Sequence, residues 1–216
     1  MSQSPDIYTL ALLYFTSFFS LINPLGSMPV FLTMTANLDR RARIRTAVKA
    51  VITAFITLII FAFGGQMLFQ FFGISVDSFR VVGGIIFFMM GYDMLNARLS
   101  SLKSIQASEV KQYVDDIAIT PLGIPMIAGP GAITNSIVLM QDSATFQLKA
   151  ILIGTIFLTM ILTLIIYISG GTIIKFLGET GNKIMLKLMG LIVMVIAVEF
   201  FFAGLTPIIR EILMLN

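Results

Sequence analysis

Ala54-Phe-Ile-Thr-Leu-Ile-Ile-Phe-Ala-Phe-Gly-Gly65 and Met160-Ile-Leu-Thr-Leu-Ile-Ile-Tyr-Ile-Ser-Gly-Gly171 align without a gap. Thr57, Leu58, Ile59 and Ile60 recur as Thr163, Leu164, Ile165 and Ile166, and Gly64-Gly65 recurs as Gly170-Gly171. The same shift carries Pro24 onto Pro130, Gly84 onto Gly190 and Asp93 onto Glu199. Scattered identities mean little in so apolar a chain. A clustered match whose helix-breaking and acidic positions also coincide points to two copies of one unit joined head to tail. The chain divides accordingly into a first unit at 1–98, a polar linker at 99–116 and a second unit at 117–216.

The copies are made of membrane-spanning sequence. Hydrophobic residues make up 57% of the chain and charged residues 12%, with a mean hydropathy of +0.98. Soluble domains carry about a quarter charged residues, so this composition describes an all-α polytopic membrane protein. No loop is long enough to fold as a soluble domain, and no basic face is free of membrane to take a nucleic acid. There is no Cys and no His, which removes thiol chemistry, Cys/His metal sites and every His-based triad. A membrane-embedded enzyme is therefore a poor fit, and no cofactor is expected. Met1-Ser-Gln-Ser-Pro-Asp6 lacks the basic start of a signal peptide, so the first apolar run reads as a retained span.

A span needs roughly 20 apolar residues. Six segments qualify, at 8–36, 46–70, 73–96, 117–141, 148–172 and 182–206. Arg40, Arg41, Arg43, Arg45 and Lys49 follow the first; Arg98, Lys103 and Lys111 follow the third; Lys175, Lys183 and Lys187 follow the fifth. Of the 14 Lys and Arg, only Arg80, Lys149 and Arg210 lie on the other side. Cytoplasmic connections carry the excess of positive charge, which places both termini outside. Three spans per copy is an odd number, so the second copy would insert upside down, the architecture of many secondary transporters.

The first and fourth segments are interrupted at their centres. The first reads Leu21-Ile-Asn-Pro-Leu-Gly-Ser-Met-Pro29, and the fourth reads Thr120-Pro-Leu-Gly-Ile-Pro-Met-Ile-Ala-Gly-Pro-Gly-Ala-Ile-Thr-Asn135. Proline inside a helix removes a donor and costs about 3 kcal/mol. Such breaks are tolerated at membrane depth where the freed backbone is buried in protein or lines a wet cavity. Half-helices expected to start near Ser27 and Gly131 would bring positive ends toward a carboxylate, while freed carbonyls suit an ammonium. Around Asn23, Pro24, Leu25, Gly26 and Ser27, and around Gly129, Pro130, Gly131, Ala132, Thr134 and Asn135, the sequence thus offers a site for a small zwitterion. A lone Pro or Gly in a span is usually an ordinary kink; two interruptions related by the repeat argue for binding.

Glu199 lies well inside the sixth segment, where a carboxylate is costly, and is read as a coupling or gating residue. Asp93 is divided evenly between a pathway role and an interfacial carboxylate near Arg98. Arg80 with Asp77 reads as an outer-end ion pair. Gly64, Gly65, Gly83, Gly84, Gly170, Gly171 and Gly190 read as close helix contacts.

With Asn23-Pro24-Leu25-Gly26 and Pro29, Phe72-Gly-Ile-Ser-Val-Asp-Ser-Phe-Arg80 with Gly83-Gly84, and Pro121-Leu-Gly-Ile-Pro-Met-Ile-Ala-Gly-Pro-Gly-Ala-Ile133, the chain resembles the MarC family of integral membrane proteins over essentially its whole length. The resemblance implies a six-span protein of a prokaryotic inner membrane with external termini. It is also similar to the family's transporters of small neutral amino acids such as glycine and alanine, which implies a site at the discontinuous first and fourth helices. An efflux carrier for amphiphilic compounds is the alternative. Coupling to H⁺ or Na⁺, uniport, direction and oligomeric state all stay open.

Overall fold

Apolar segments of this length have little but helix available to them in a bilayer. The computed structural model describes residues 6–96 and 110–213, without the side chains of 110, 111, 171–177, 179 and 182. Its helices are α1 (Ile7–Ile22), α2 (Pro24–Met34), α3 (Arg40–Phe72), α4 (Val76–Leu95), α5 (Val110–Ile117), α6 (Pro130–Asp142) and α7 (Phe146–Ile212). Between α5 and α6 the stretch Ala118–Ile127 winds irregularly. Thr120 (φ −132°, ψ 123°) and Ile124 (φ −134°, ψ 126°) are extended there. Each precedes a proline, a position that disfavours the helical region.

Five stretches are long and apolar enough to cross a membrane: Ile7–Met34, Arg40–Phe72, Val76–Leu95 and the two arms of α7, Phe146–Gly170 and Lys183–Ile212. A sixth arises if Gln112–Ile127 and Pro130–Asp142, bent by 60° at their junction, form one span.

Three boundaries differ from the sequence reading. Arg40, Arg41, Arg43, Arg45 and Lys49 belong to the first turns of α3 rather than to a loop. Asp39 caps that helix, its Oδ1 accepting from Ala42 N at 2.7 Å, and Arg, Ala and Lys propagate it well. The end of the expected linker is helical as part of α5, while residues 97–109, with Arg98 and Lys103, lie outside the described residues. The expected connection between the fifth and sixth segments is also helical, interrupted only at Gly178 (φ 68°, ψ 180°). One glycine in that region of backbone space turns the chain without a longer loop.

The second arm of α7 packs antiparallel on α4 through glycine. A Cβ added at Gly84 would stand 2.8 Å from the Ala197 carbonyl, one at Gly91 2.8 Å from the Gly190 carbonyl, and one at Gly204 2.5 Å from the Asp77 carbonyl. Elsewhere Gly65 of α3 packs on Ile137 of α6, and Gly170 packs on Leu32 and Met28 of α2. Gly64 does not pack as expected: no atom lies within 4 Å of its would-be Cβ, because it faces outward. The Arg80–Asp77 ion pair is present at 3.0 Å.

The interrupted spans are tied to each other at both ends. At one end Tyr14 Oη and Ser143 Oγ approach to 3.4 Å. At the other, Tyr113 Oη donates to the Met34 carbonyl at 3.0 Å and Arg43 Nη2 donates to the Thr35 carbonyl at 3.2 Å. Lys49 of α3 pairs with Asp115 of α5 at the same end. Phe18, Ile22, Phe31, Leu122, Ile127, Leu152 and Tyr167 are fully buried between these elements.

Candidate functional site

The first interruption is built by Asn23. It takes a left-handed conformation (φ 45°, ψ 62°), the only non-glycine residue to do so among the described residues. Asparagine tolerates that region because its short polar side chain bonds locally. Its N–H closes α1 on the Phe19 carbonyl at 3.0 Å, and its carbonyl accepts from Ser27 N at 3.0 Å. Its Oδ1 accepts from Gly26 N at 3.1 Å and so caps α2. Pro24 is pre-set for the first helical position. Having no N–H, it leaves the Ser20 carbonyl without the donor that an unbroken helix would supply. Gly26 is required by the cap, since a Cβ there would fall 2.8 Å from Asn23 Cγ. Helix α2 therefore starts at Pro24, three residues before the expected point near Ser27.

Ser27 is 5% exposed. Its hydroxyl donates to the Pro24 carbonyl at 3.3 Å and accepts from Tyr167 Oη at 2.9 Å. Tyr167 is wholly buried on the first arm of α7, with its ring stacked on Phe31 at 4.5 Å between centroids and 14° between planes.

These groups face a small cavity of about 40 Å³. Leu21, Ile22, Asn23, Gly26 and Ser27 line it from the first interruption, and Met126 lines it from the second. Phe87, Met90 and Met94 of α4 and Val193 and Ile196 of α7 complete the wall. Among the described residues of that wall, the strong side-chain hydrogen-bonding groups are those of Asn23 and Ser27.

The structure thus brings Asn23, Gly26 and Ser27 to one cavity and sets the other expected residues around it. Pro24 is buried at the start of α2, while Leu25 is 54% exposed and turned away. Gly129, Pro130, Gly131 and Ala132 are buried but form a second layer. Gly129 sits against the Phe87 ring, Pro130 against Gly83, and Gly131 has Leu21 Cδ2 3.0 Å from its would-be Cβ. The second interruption therefore supports Phe87 and Leu21 from behind and enters the wall itself only through Met126. Thr134 Oγ1 and Asn135 Nδ2 are buried with no hydrogen-bond partner among the described residues. Asp93 is half-buried on α4. Glu199 is exposed, on the face of α7 that also shows Val195, Val198 and Phe202, and neither acid lines the cavity. Among the described residues no three Asp or Glu side chains gather to hold a metal.

Sequence reasoning passed over Tyr167 and the methionines at 90, 94 and 126. For Tyr167 a signal was present: within the repeated string it stands where the first copy has Phe61, so the second copy carries a hydroxyl that the first does not.

Comparison with known proteins agrees with this architecture. Residues 8–209 match the family described as MarC family integral membrane protein. A UPF0056 membrane protein of Pyrococcus horikoshii is 40% identical over 199 residues, 92% of this chain and 95% of that protein. One of Methanocaldococcus jannaschii is 34% identical over 194 residues, 90% of this chain and 95% of its own length. The Bacillus subtilis UPF0056 membrane protein YvbG is 38% identical over 194 residues, 88% and 92% of the two chains. No solved structure matches the chain. A match that spans both interruptions and reaches the last helix, together with relatives alike over nearly their full length, makes this chain a member of the MarC family of integral membrane proteins.

Proposed function

We propose that the protein is a transporter of small neutral amino acids such as glycine and alanine, working by alternating access between two inverted three-helix halves in a prokaryotic inner membrane. Reciprocal contacts support the inversion. Gly84 meets Ala197, the repeat mate of Gly91, and Gly91 meets Gly190, the repeat mate of Gly84. A pair of helices related by a two-fold axis makes contacts of this kind. The observation that carries the reading is a cavity walled by both halves: its wall contains Phe87 with its repeat mate Val193, and Met90 with its repeat mate Ile196. A solute there touches residues of both halves, as rocking of one half against the other about a fixed site requires.

Uptake of labelled glycine and alanine into proteoliposomes tests the reading, and absence of flux above empty vesicles rejects it. The largely apolar wall favours one other reading, an amphiphilic solute; flux of an amphiphilic cation without amino-acid flux would decide for it. Imposing H⁺ and Na⁺ gradients separately reads the coupling. If a carboxylate at Glu199 couples, Glu199→Gln loses gradient-driven uptake and keeps exchange; loss of neither removes that role.

Orientation has its own test, since the chain has no cysteine of its own. With external termini, Ala144→Cys between α6 and α7 is expected to react with an impermeant maleimide added outside intact cells. Arg41→Cys is expected to react only after permeabilisation. The reverse pattern would invert the topology.

A further inference from the structure

We infer that Tyr167 fixes the hydrogen-bond polarity of the cavity, so that it offers one donor, Asn23 Nδ2, and one acceptor, Ser27 Oγ. The inference rests on the proposed amino-acid transport and deepens it by naming what the solute must carry: an acceptor at one end and a charged donor at the other.

The polarity follows from counting protons and lone pairs. A tyrosine hydroxyl has one proton to give. Tyr167 is wholly buried, and Ser27 Oγ is its hydrogen-bond partner at 2.9 Å among the described residues, so the proton goes there. Ser27 in turn spends its own proton on the Pro24 carbonyl at 3.3 Å. One lone pair of Ser27 Oγ remains, and Ser27 lines the cavity. Asn23 has the opposite balance. Its Oδ1 is taken by the Gly26 N–H at 3.1 Å, and Nδ2 has no partner among the described residues.

An α-amino acid matches this pair, its carboxylate on Asn23 Nδ2 and its ammonium on Ser27 Oγ. A 2-oxo acid does not, because its keto oxygen would meet the Ser27 lone pair where the ammonium belongs. Sites built to pair a polar group reject analogues that leave it unpaired. Without the Tyr167 hydroxyl, Ser27 is free to turn its proton into the cavity and donate. Tyr167 thereby acts as a positioning residue for specificity, and its ring, stacked on Phe31, holds the hydroxyl in place.

The test is competition against labelled alanine in proteoliposomes by unlabelled alanine, pyruvate and propionate, for wild type and Tyr167→Phe. Phenylalanine keeps the stacking on Phe31 and removes only the hydroxyl. For wild type, alanine is expected to compete and the two acids to fail. In Tyr167→Phe the preference for alanine over pyruvate is expected to narrow about three- to tenfold, the worth of one hydrogen bond. An unchanged preference overturns the inference, even if the variant is less stable, because a purely structural role moves stability alone. Should Tyr167→Phe not fold, Ser27→Ala carries the test: alanine is expected to bind about three- to tenfold more weakly, and unchanged alanine affinity overturns the inference. Wild type that takes up no amino acid overturns the transport reading, and this inference with it.

Discussion

Gly84→Leu and Gly190→Leu are each expected to leave little or no folded protein in a detergent extract, whereas Gly64→Ala leaves the melting temperature unchanged or slightly raised. At Gly84 a Cβ would stand 2.8 Å from the Ala197 carbonyl and 2.9 Å from Phe201 Cα. At Gly190 it would stand 2.8 Å from the Gly91 carbonyl and 2.9 Å from Leu95 N. These obstacles are backbone, which cannot rotate aside. Forcing even small groups into a packed contact costs about 1–3 kcal/mol, and an isobutyl group requires the two helices to separate. In a bilayer no hydrophobic effect recovers what that separation loses, since helices there are held by close van der Waals contact and hydrogen bonds. Gly64 has no atom within 4 Å of its would-be Cβ, so alanine there meets no obstacle and gains up to about 1 kcal/mol of helix propensity. Size-exclusion profiles and thermal melts of the three variants check this. A well-folded Gly84→Leu would mean that α4 and α7 do not pack as described.

The contrast between Gly64 and Gly84 marks how far the sequence could be read. Both occur in Gly-Gly pairs, and in one dimension they look alike. Glycine at a contact and glycine at a lipid-facing position leave the same letter, and only the direction each helix turns separates them. Span positions were legible because length and apolarity are local properties. The ends of α3 and α5 were not, because a capped, charged helix that continues past the membrane shows no drop in helix propensity where it leaves the hydrocarbon. Asp39, three residues ahead of the Ala42 N–H that it accepts from, was the available cue.

At the candidate site, the residues that bend the chain were legible and those that complete the wall were not. Asn23-Pro24 with Gly26 announces a break and a cap from composition alone. Phe87, Met90, Met94 and Met126 carry no such mark, since an apolar residue facing a cavity and one facing lipid obey the same preference. The second interruption misled in a different way. Gly129, Pro130 and Gly131 resemble a ligand-binding loop, yet they pack on Phe87, Gly83 and Leu21 and shape the cavity at one remove. Positions that the sequence alignment pairs need not share a role: Asn23 lines the cavity, and Gly129 supports it from behind.

Asn23→Val is expected to abolish transport and to destabilise the protein by about 2–3 kcal/mol, while Asn23→Gly folds nearly as wild type yet transports at least tenfold more slowly. Asn23 performs two tasks that the two substitutions separate. The first is conformational, at φ 45°. An ordinary L-residue loses roughly 1–2 kcal/mol in the left-handed region, and a β-branched one fares worse. Valine also gives up the cap on Gly26 N, worth about 1 kcal/mol. Glycine adopts the same backbone freely and loses only a few tenths of a kcal/mol as a cap. The second task is the one proposed for Nδ2, the one side-chain donor that the described residues leave to the cavity, and glycine removes it entirely. Thermal melts and initial uptake rates measured on the same preparations read the two tasks independently. If Asn23→Gly transported at the wild-type rate, the amide would be no more than a device for turning the chain. Solute recognition would then have to rest on backbone groups freed at Pro24, the Ser20 carbonyl first among them.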